Sequence, residues 1–289
     1  MVQRVRCSGP EQFVAEHLRA NAPVIVEGLT EAWPAAGKWT PGWFAANYPN
    51  LEVPYERWRS ADGGDEDTIF SFDRHAKRTH LPMAELVEAL EVEGGRTVYS
   101  TMFPVFDVLP ELRADVRDMM PYQGLPSWLG GLFSMRPFMW TGGAGALTVL
   151  HFDRVHNLYA QLAGHKRWVL FPPEQSPLLY WPCEQLPGAR LQFSPVDAER
   201  PDLDRYPLFK GATPLVAELG PGDVLFVPTG WWHQVRSLTM SLALNYFWMA
   251  PVATPWALRA YGWHWARQAL AKAARMPPGR RLVPGQSGA

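Results

Sequence analysis

Two short stretches hold the residues whose types and spacing could do chemistry. Residues 148–157 read TVLHFDRVHN, and residues 228–235 read PTGWWHQV. His151 and Asp153 stand two apart in an apolar run. In a strand alternate side chains share a face, so the pair lies together with Phe152 turned away. An imidazole and a carboxylate so placed cover two vertices of a metal coordination sphere. A third donor has to come from another strand, and His233 is the candidate. Two His and one carboxylate on one face of an octahedron leave three positions open, the arrangement of non-haem Fe(II) oxygenases. Taken alone, the H-x-D triplet has a plainer reading as a core histidine beside a hydrogen-bonded aspartate.

Elements must position these residues. From residue 134 the chain is a succession of short β-runs: SMRPFMWT, ALTVLHF, NLYAQLAG, KRWVLFPP, PLVAEL, DVLFVP, WHQVRS and MSLALNYFW. Gly and Pro punctuate them, as in a sandwich or barrel. Ahead of them, 10–22 reads as a short helix, PVIVEGL as a strand and RTVYSTM as another. The segment WTPGWFAANYP predicts a helix capped by Thr40 with Pro41 at its first position. Residues 81–95 predict an amphipathic helix and 110–119 a further one, while 60–68 is an acidic loop. A last helix is expected over 254–275. The expectation is a mostly β fold with flanking helices: one domain over 1–250, with an N-terminal cover to about 130 and a barrel core from about 131, then 251–289 as C-terminal helix and basic tail.

Composition narrows the class. Hydrophobic residues are 47% and charged residues 19% of the chain, enough to bury a core. The formal net charge of −1 gives no overall bias toward nucleic acid or anionic membrane. After Asp223 there is no acidic residue, while Arg236, Arg259, Arg267, Lys272, Arg275, Arg280 and Arg281 follow. That tail reads as a solvated basic face or as a contact for an acidic partner or nucleic acid. Cys7 and Cys183 form no disulfide framework or zinc knuckle, and the start MVQRVRCSGPEQF lacks a signal-peptide core. No run reaches the ~18 apolar residues of a membrane span. A cytoplasmic protein is expected.

The segments GDVLFVPTGWWHQV and HFDRVHNLYAQLAGHKRWVLFPP together resemble the JmjC family, within the cupin superfamily of Fe(II)- and 2-oxoglutarate-dependent oxygenases. APVIVEGLTEAWPAAGKWT is similar to that family's entry segment, SPVDAERPDLDRYPLF to the stretch between its metal motifs, and SLALNYFW to its closing strand. The likeness spans roughly residues 20–250 and is nearest in pattern to the asparaginyl hydroxylases of hypoxia-inducible factor and related peptide and tRNA hydroxylases. It implies a double-stranded β-helix, a jelly-roll barrel, with His151, Asp153 and His233 as iron ligands. It further implies Lys166 as partner of the distal 2-oxoglutarate carboxylate, Thr148 and Tyr99 as hydrogen-bond donors to the same carboxylate, and Asn157 and Asn245 on the metal side. Dioxygen would be the third component, with succinate and CO2 released.

The residues themselves support these roles unequally. Lys166 begins KRWVLF on the face of Trp168 and Leu170, so it needs an anion if it points inward; its plainer reading is a strand-end lysine reaching solvent, with Arg136 or Arg167 then taking the carboxylate. Thr148 is three residues from His151, which puts them on opposite faces unless the strand bulges. Tyr99 also reads as a core tyrosine, and His156 as a supporting or core histidine. His165 is expected to face out, and Trp231 and Trp232 to be core. The expected activity is hydroxylation of a protein or peptide side chain. A tRNA hydroxylase, a demethylase, a non-hydroxylase metal cupin and an inactive JmjC-like binding module are the alternatives. The aromatic C-terminal helix, with Trp256, Tyr261, Trp263 and Trp265, suggests a homodimer or packing on the chain's own barrel.

Overall fold

The computed structural model describes residues 1–57, 79–92, 98–117, 119–124, 136–181 and 192–249, all within the compact unit Met1–Ala250. The acidic loop at 60–68, Cys183, and the C-terminal helix and tail lie outside the described residues.

Among the described residues, thirteen strands form two sheets. The larger contains β1 (Gln3–Arg6), β2 (Val24–Glu27), β3 (Glu52–Arg57), β4 (Thr79–Pro82), β5 (Val98–Phe103), β6 (Phe138–Gly142), β8 (His156–Ala163), β11 (Val224–Val227) and β13 (Ser241–Trp248). Its order is β1-β2-β11-β8-β13-β6-β5-β3-β4. The smaller contains β7 (Leu147–Phe152), β9 (Lys166–Phe171), β10 (Leu215–Leu219) and β12 (Trp232–Ser237), in the order β10-β9-β12-β7. All pairings are antiparallel except β1 with β2. The expected mostly β jelly roll with flanking helices is what the chain forms. Its N-terminal part supplies five strands of the larger sheet as well as helices.

Alternation along the strands sorts the core into two layers. Val24, Val26, Leu158, Ala160, Val224, Phe226, Leu242 and Leu244 pack with Phe13, Trp39, Phe44, Met83 and Leu86, so that face lies under the helices. Their neighbours Ile25, Tyr159, Leu225 and Ala243 pack instead with Trp168, Leu170, Ala217 and Val235 of the smaller sheet. The second layer is the interior between the sheets, and the candidate site is built there.

Helix α2 (Pro41–Asn47) starts as expected, with Thr40 Oγ1 accepting from Trp43 N at 3.0 Å and Pro41 leading. Helix α3 (Met83–Val92) buries Met83, Leu86, Val87 and Leu90, one face at helical spacing. Two other expectations are corrected. The helix expected over 10–22 is one α turn, α1 (Pro10–Phe13), followed by a π turn over Val14–Leu18. Phe13 is held edge-on by Phe226 and Tyr122, and Leu18 packs on the same core. Positions five apart diverge on an α-helix, and the wider π turn brings both to one side. After the short helix α4 (Val105–Val108), the helix expected over 110–119 is a 3₁₀ turn, Pro110–Asp115, leading to extended Val116. Asp115 is committed to another segment. Its carbonyl accepts from Ala35 N at 3.0 Å, and its carboxylate takes Lys38 Nζ at 2.6 Å and Trp39 Nε1 at 2.9 Å.

Candidate metal centre

Pairing of β7 with β12 sets His151 directly opposite His233. The rings lie 4.2 Å apart between centroids. Asp153 follows the end of β7, and its carbonyl accepts from Gly230 N at 2.9 Å, which ties it to the turn leading into β12. Its carboxylate reaches back to His233 Nε2 at 3.6 Å and His151 Nε2 at 3.9 Å. One donor atom from each residue fits within 4.8 Å of the others.

The outer nitrogens explain why the inner ones are available. His151 Nδ1 lies 2.8 Å from Val149 O and His233 Nδ1 3.0 Å from Trp231 O. A carbonyl only accepts, so each Nδ1 carries a proton, which leaves Nε2, on the Asp153 side, as the nitrogen that could hold a metal. Burial, then the neighbouring His151, holds His233 well below the usual histidine pKa against the Trp231 carbonyl. Burial raises Asp153, and His151 partly opposes it. Phe193 stacks on His151 at 5.6 Å and Trp168 on His233 at 5.4 Å, so both imidazoles are fixed in orientation. Two imidazole nitrogens and one carboxylate form a donor set suited to a divalent transition metal.

The second half of the site lies four positions along β9. His233 is in register with Leu170, and Ser237 with Lys166. Lys166 shares the inward face of Trp168 and Leu170 and is wholly buried. It donates to Tyr99 Oη at 3.1 Å and sits 5.5 Å from the Tyr159 ring centre. No carboxylate pairs with it among the described residues. Burial works against its charge, yet the oxygens of Tyr159 and Tyr99 more than offset this and raise its pKa. The two arginines considered as substitutes are engaged elsewhere: Arg136 with Asp107, and Arg167 with Glu218 at 2.7 Å.

Thr148 pairs with Val235, a residue of the inter-sheet core, and the β7–β12 register shifts between that pair and His151–His233. Two residues of β12 span three of β7, so the required bulge is present and Thr148 shares the inner side with His151. Asn157 and Asn245 also face inward: Asn245 Nδ2 donates to Asn157 Oδ1 at 3.3 Å, and Trp140 Nε1 to Asn245 Oδ1 at 3.0 Å. His156 does not join them. It packs on the helix side against Phe226 and Trp248 and accepts from Thr229 N at 3.0 Å. His165 is exposed, and Trp231 and Trp232 are buried core residues, as expected. Three residues at the site were not singled out as participants by the sequence: Phe193, Trp168 and Tyr159. For Tyr159 a signal existed, since it stands two residues after Asn157 on the same strand.

The chain matches the family described as Cupin-like domain over residues 10–254. It belongs to that family. Among its curated relatives, Lysine-specific demethylase 8 of Danio rerio is 30% identical over 253 residues, 86% of this chain and 58% of the relative. The bifunctional peptidase and (3S)-lysyl hydroxylase JMJD7 of Homo sapiens is 26% identical over 83% of this chain and 80% of its own length. HSPB1-associated protein 1 of Rattus norvegicus is 46% identical over 101 residues, 35% of this chain and 21% of the relative. The chain thus spans little more than half the length of the first of these cupin-like relatives. The JmjC resemblance holds, but these matches do not favour the asparaginyl hydroxylase branch in particular.

Proposed function

We infer that the chain is an Fe(II)- and 2-oxoglutarate-dependent dioxygenase that hydroxylates a side chain of a protein or peptide. The observation that carries this is Lys166, a fully buried cation without a carboxylate partner among the described residues, on the interior face that also holds His151 and His233. A buried ammonium lacking an anion is strongly unfavourable. Register separates the lysine from His233 by four residues, about 13 Å of strand. A ligand with one end at the metal and a carboxylate at the other answers both features.

Bound together, Fe(II), 2-oxoglutarate and dioxygen supply oxidative decarboxylation to succinate and CO2 and the oxidation of a substrate C–H bond. The chain's own residues prepare that chemistry. His151 and His233 present Nε2 lone pairs, Asp153 supplies negative charge, and their three-donor face leaves room for other ligands. Lys166 neutralises the distal carboxylate. Tyr99 orients the lysine, and Thr148, inward because of the bulge, offers a further hydroxyl. Asn157, Asn245 and Trp140 form a polar chain along the inner face of the larger sheet. Trp168 and Phe193 cover the outer faces of the imidazoles and keep water from them.

Two relatives are named for lysine chemistry, one a demethylase and one a lysyl hydroxylase. This favours a lysine-bearing protein segment as substrate, with demethylation as the second reading. The setting proposed is the cytoplasm. Among the described residues no helix is long and apolar enough to cross a membrane. The test is succinate release from 2-oxoglutarate with Fe(II), with and without lysine-bearing peptides in methylated and unmethylated form. Wild-type protein should release succinate, and Asp153→Ala should not. Wild-type protein that neither binds nor turns over 2-oxoglutarate would leave a binding module as the function.

A further inference from the structure

Lys166 is flanked by two phenols; only Tyr99 accepts from it with proper hydrogen-bond geometry, while the Tyr159 oxygen lies near enough to help hold the ammonium's charge. Tyr99 Oη accepts from the lysine at 3.1 Å. Tyr159 Oη is buried and has no hydrogen-bond partner of proper geometry. Its ring is fixed nonetheless: Trp168 meets it edge-on at 4.8 Å and 70°, and Tyr159 is in register with Leu225 on one side and Asn245 on the other. The side chain lies on the inter-sheet face, 4% exposed, with the Lys166 ammonium 5.5 Å from its ring centre. Burial raises its pKa to about 12, against the opposing Lys166 charge, so the hydroxyl keeps its proton and is a donor at neutral pH.

A buried hydroxyl without a partner costs stability, and native interiors rarely keep one. A tyrosine clamped in that state beside an ammonium that has no carboxylate partner among the described residues is preorganised for an anion that is not part of the chain. We propose that Tyr159 is a second phenol donor to the distal carboxylate of the dicarboxylate cosubstrate, closing the inner end of the pocket opposite Tyr99. This rests on the 2-oxoglutarate reading given above. The carboxylate would accept from Lys166 and from Tyr159 together, so the cation and the idle hydroxyl are satisfied by one ligand.

Tyr159→Phe separates this role from mere packing, since the ring is kept and only the oxygen is removed. Without ligand the variant should keep the wild-type fold, because the ring and its packing are retained. Mn(II) affinity should be unchanged. In the Mn(II)-loaded protein, 2-oxoglutarate should bind about ten- to a hundredfold more weakly, the loss expected for one hydrogen bond to a charged group. 2-Oxopentanoate, which has the same keto-acid end and no distal carboxylate, should bind both proteins equally. Equal 2-oxoglutarate affinity in variant and wild type would overturn the proposal, as would equal weakening of both probes. The underlying reading fails differently: wild-type protein would then not prefer 2-oxoglutarate to 2-oxopentanoate at all.

Discussion

At Lys166 a single charge carries most of the argument, so its removal is the sharpest perturbation of one residue. Taking away one member of a buried charge pair costs roughly 3–5 kcal/mol. Lys166→Ala should therefore weaken 2-oxoglutarate on the order of a hundred- to a few thousandfold while metal affinity stays at the wild-type level. Lys166→Arg should recover only part, because the planar guanidinium needs different geometry beside Tyr99 and Tyr159. Calorimetric titration of the metal-loaded variants reads both numbers, and an affinity within a few-fold of wild type would contradict the pairing. His156 makes a separate prediction about stability. Burial lowers its pKa from 6.5 to about 4, so between these values the unfolded chain binds the extra proton. Stability therefore falls as pH falls from 6.5, by about 3 kcal/mol once pH 4 is reached. Denaturant unfolding of His156→Gln should show a shallower acid dependence than wild type, and an identical one would refute the assignment. The H-x-D spacing made His151 and Asp153 visible in sequence, because a strand's period of two is a local property. Phe193 was not visible as a participant, since its role depends on which segment meets it across the interior; for Tyr159 the strand parity shared with Asn157 gave its face but not its neighbour Lys166.

On the scale of elements, the site depends on the bulge in β7 and on the close approach of β5 to β6. Gly142 pairs with Tyr99, and a Cβ there would come within 2.8 Å of Tyr99 Cδ2 and 2.9 Å of Cε2. Gly142→Ala should push the phenol away from Lys166 and weaken 2-oxoglutarate by about tenfold, the scale of one charged hydrogen bond, with metal binding intact. Unchanged 2-oxoglutarate affinity in a titration would show that Tyr99 does not orient the lysine. The β-runs after residue 134 were legible because alternation and Gly/Pro punctuation are written into consecutive residues. Thr40 and Pro41 marked α2 for the same reason. The segments 10–22 and 110–119 were misjudged because distant partners decide them: Phe226 and Tyr122 hold Phe13, and the 35–39 turn claims Asp115. The bulge at Thr148 was stated as a condition of its role and is present; nothing in TVLHF alone specifies it.

For the molecule as a whole, the cupin-like match over residues 10–254 covers the described fold from α1 onward, while the chain spans 58% of the zebrafish relative. Substrate choice therefore stays with the proposal. So do the homodimer and nucleic-acid contacts read from the C-terminal aromatic and basic residues, which lie outside the described residues. The central claim is that His151, Asp153 and His233 form one metal centre, with 2-oxoglutarate bound between it and Lys166. Anaerobic titration of Fe(II) into wild-type and His233→Ala protein, each followed by 2-oxoglutarate, tests it most directly. Removing one of three donors from a site of this kind should abolish binding at ordinary metal concentrations. Wild type should take up one Fe(II) per chain and develop a visible metal-to-ligand charge-transfer band when 2-oxoglutarate is added, and His233→Ala should do neither. Wild-type iron affinity in the His233→Ala protein, with the same band, would contradict the account.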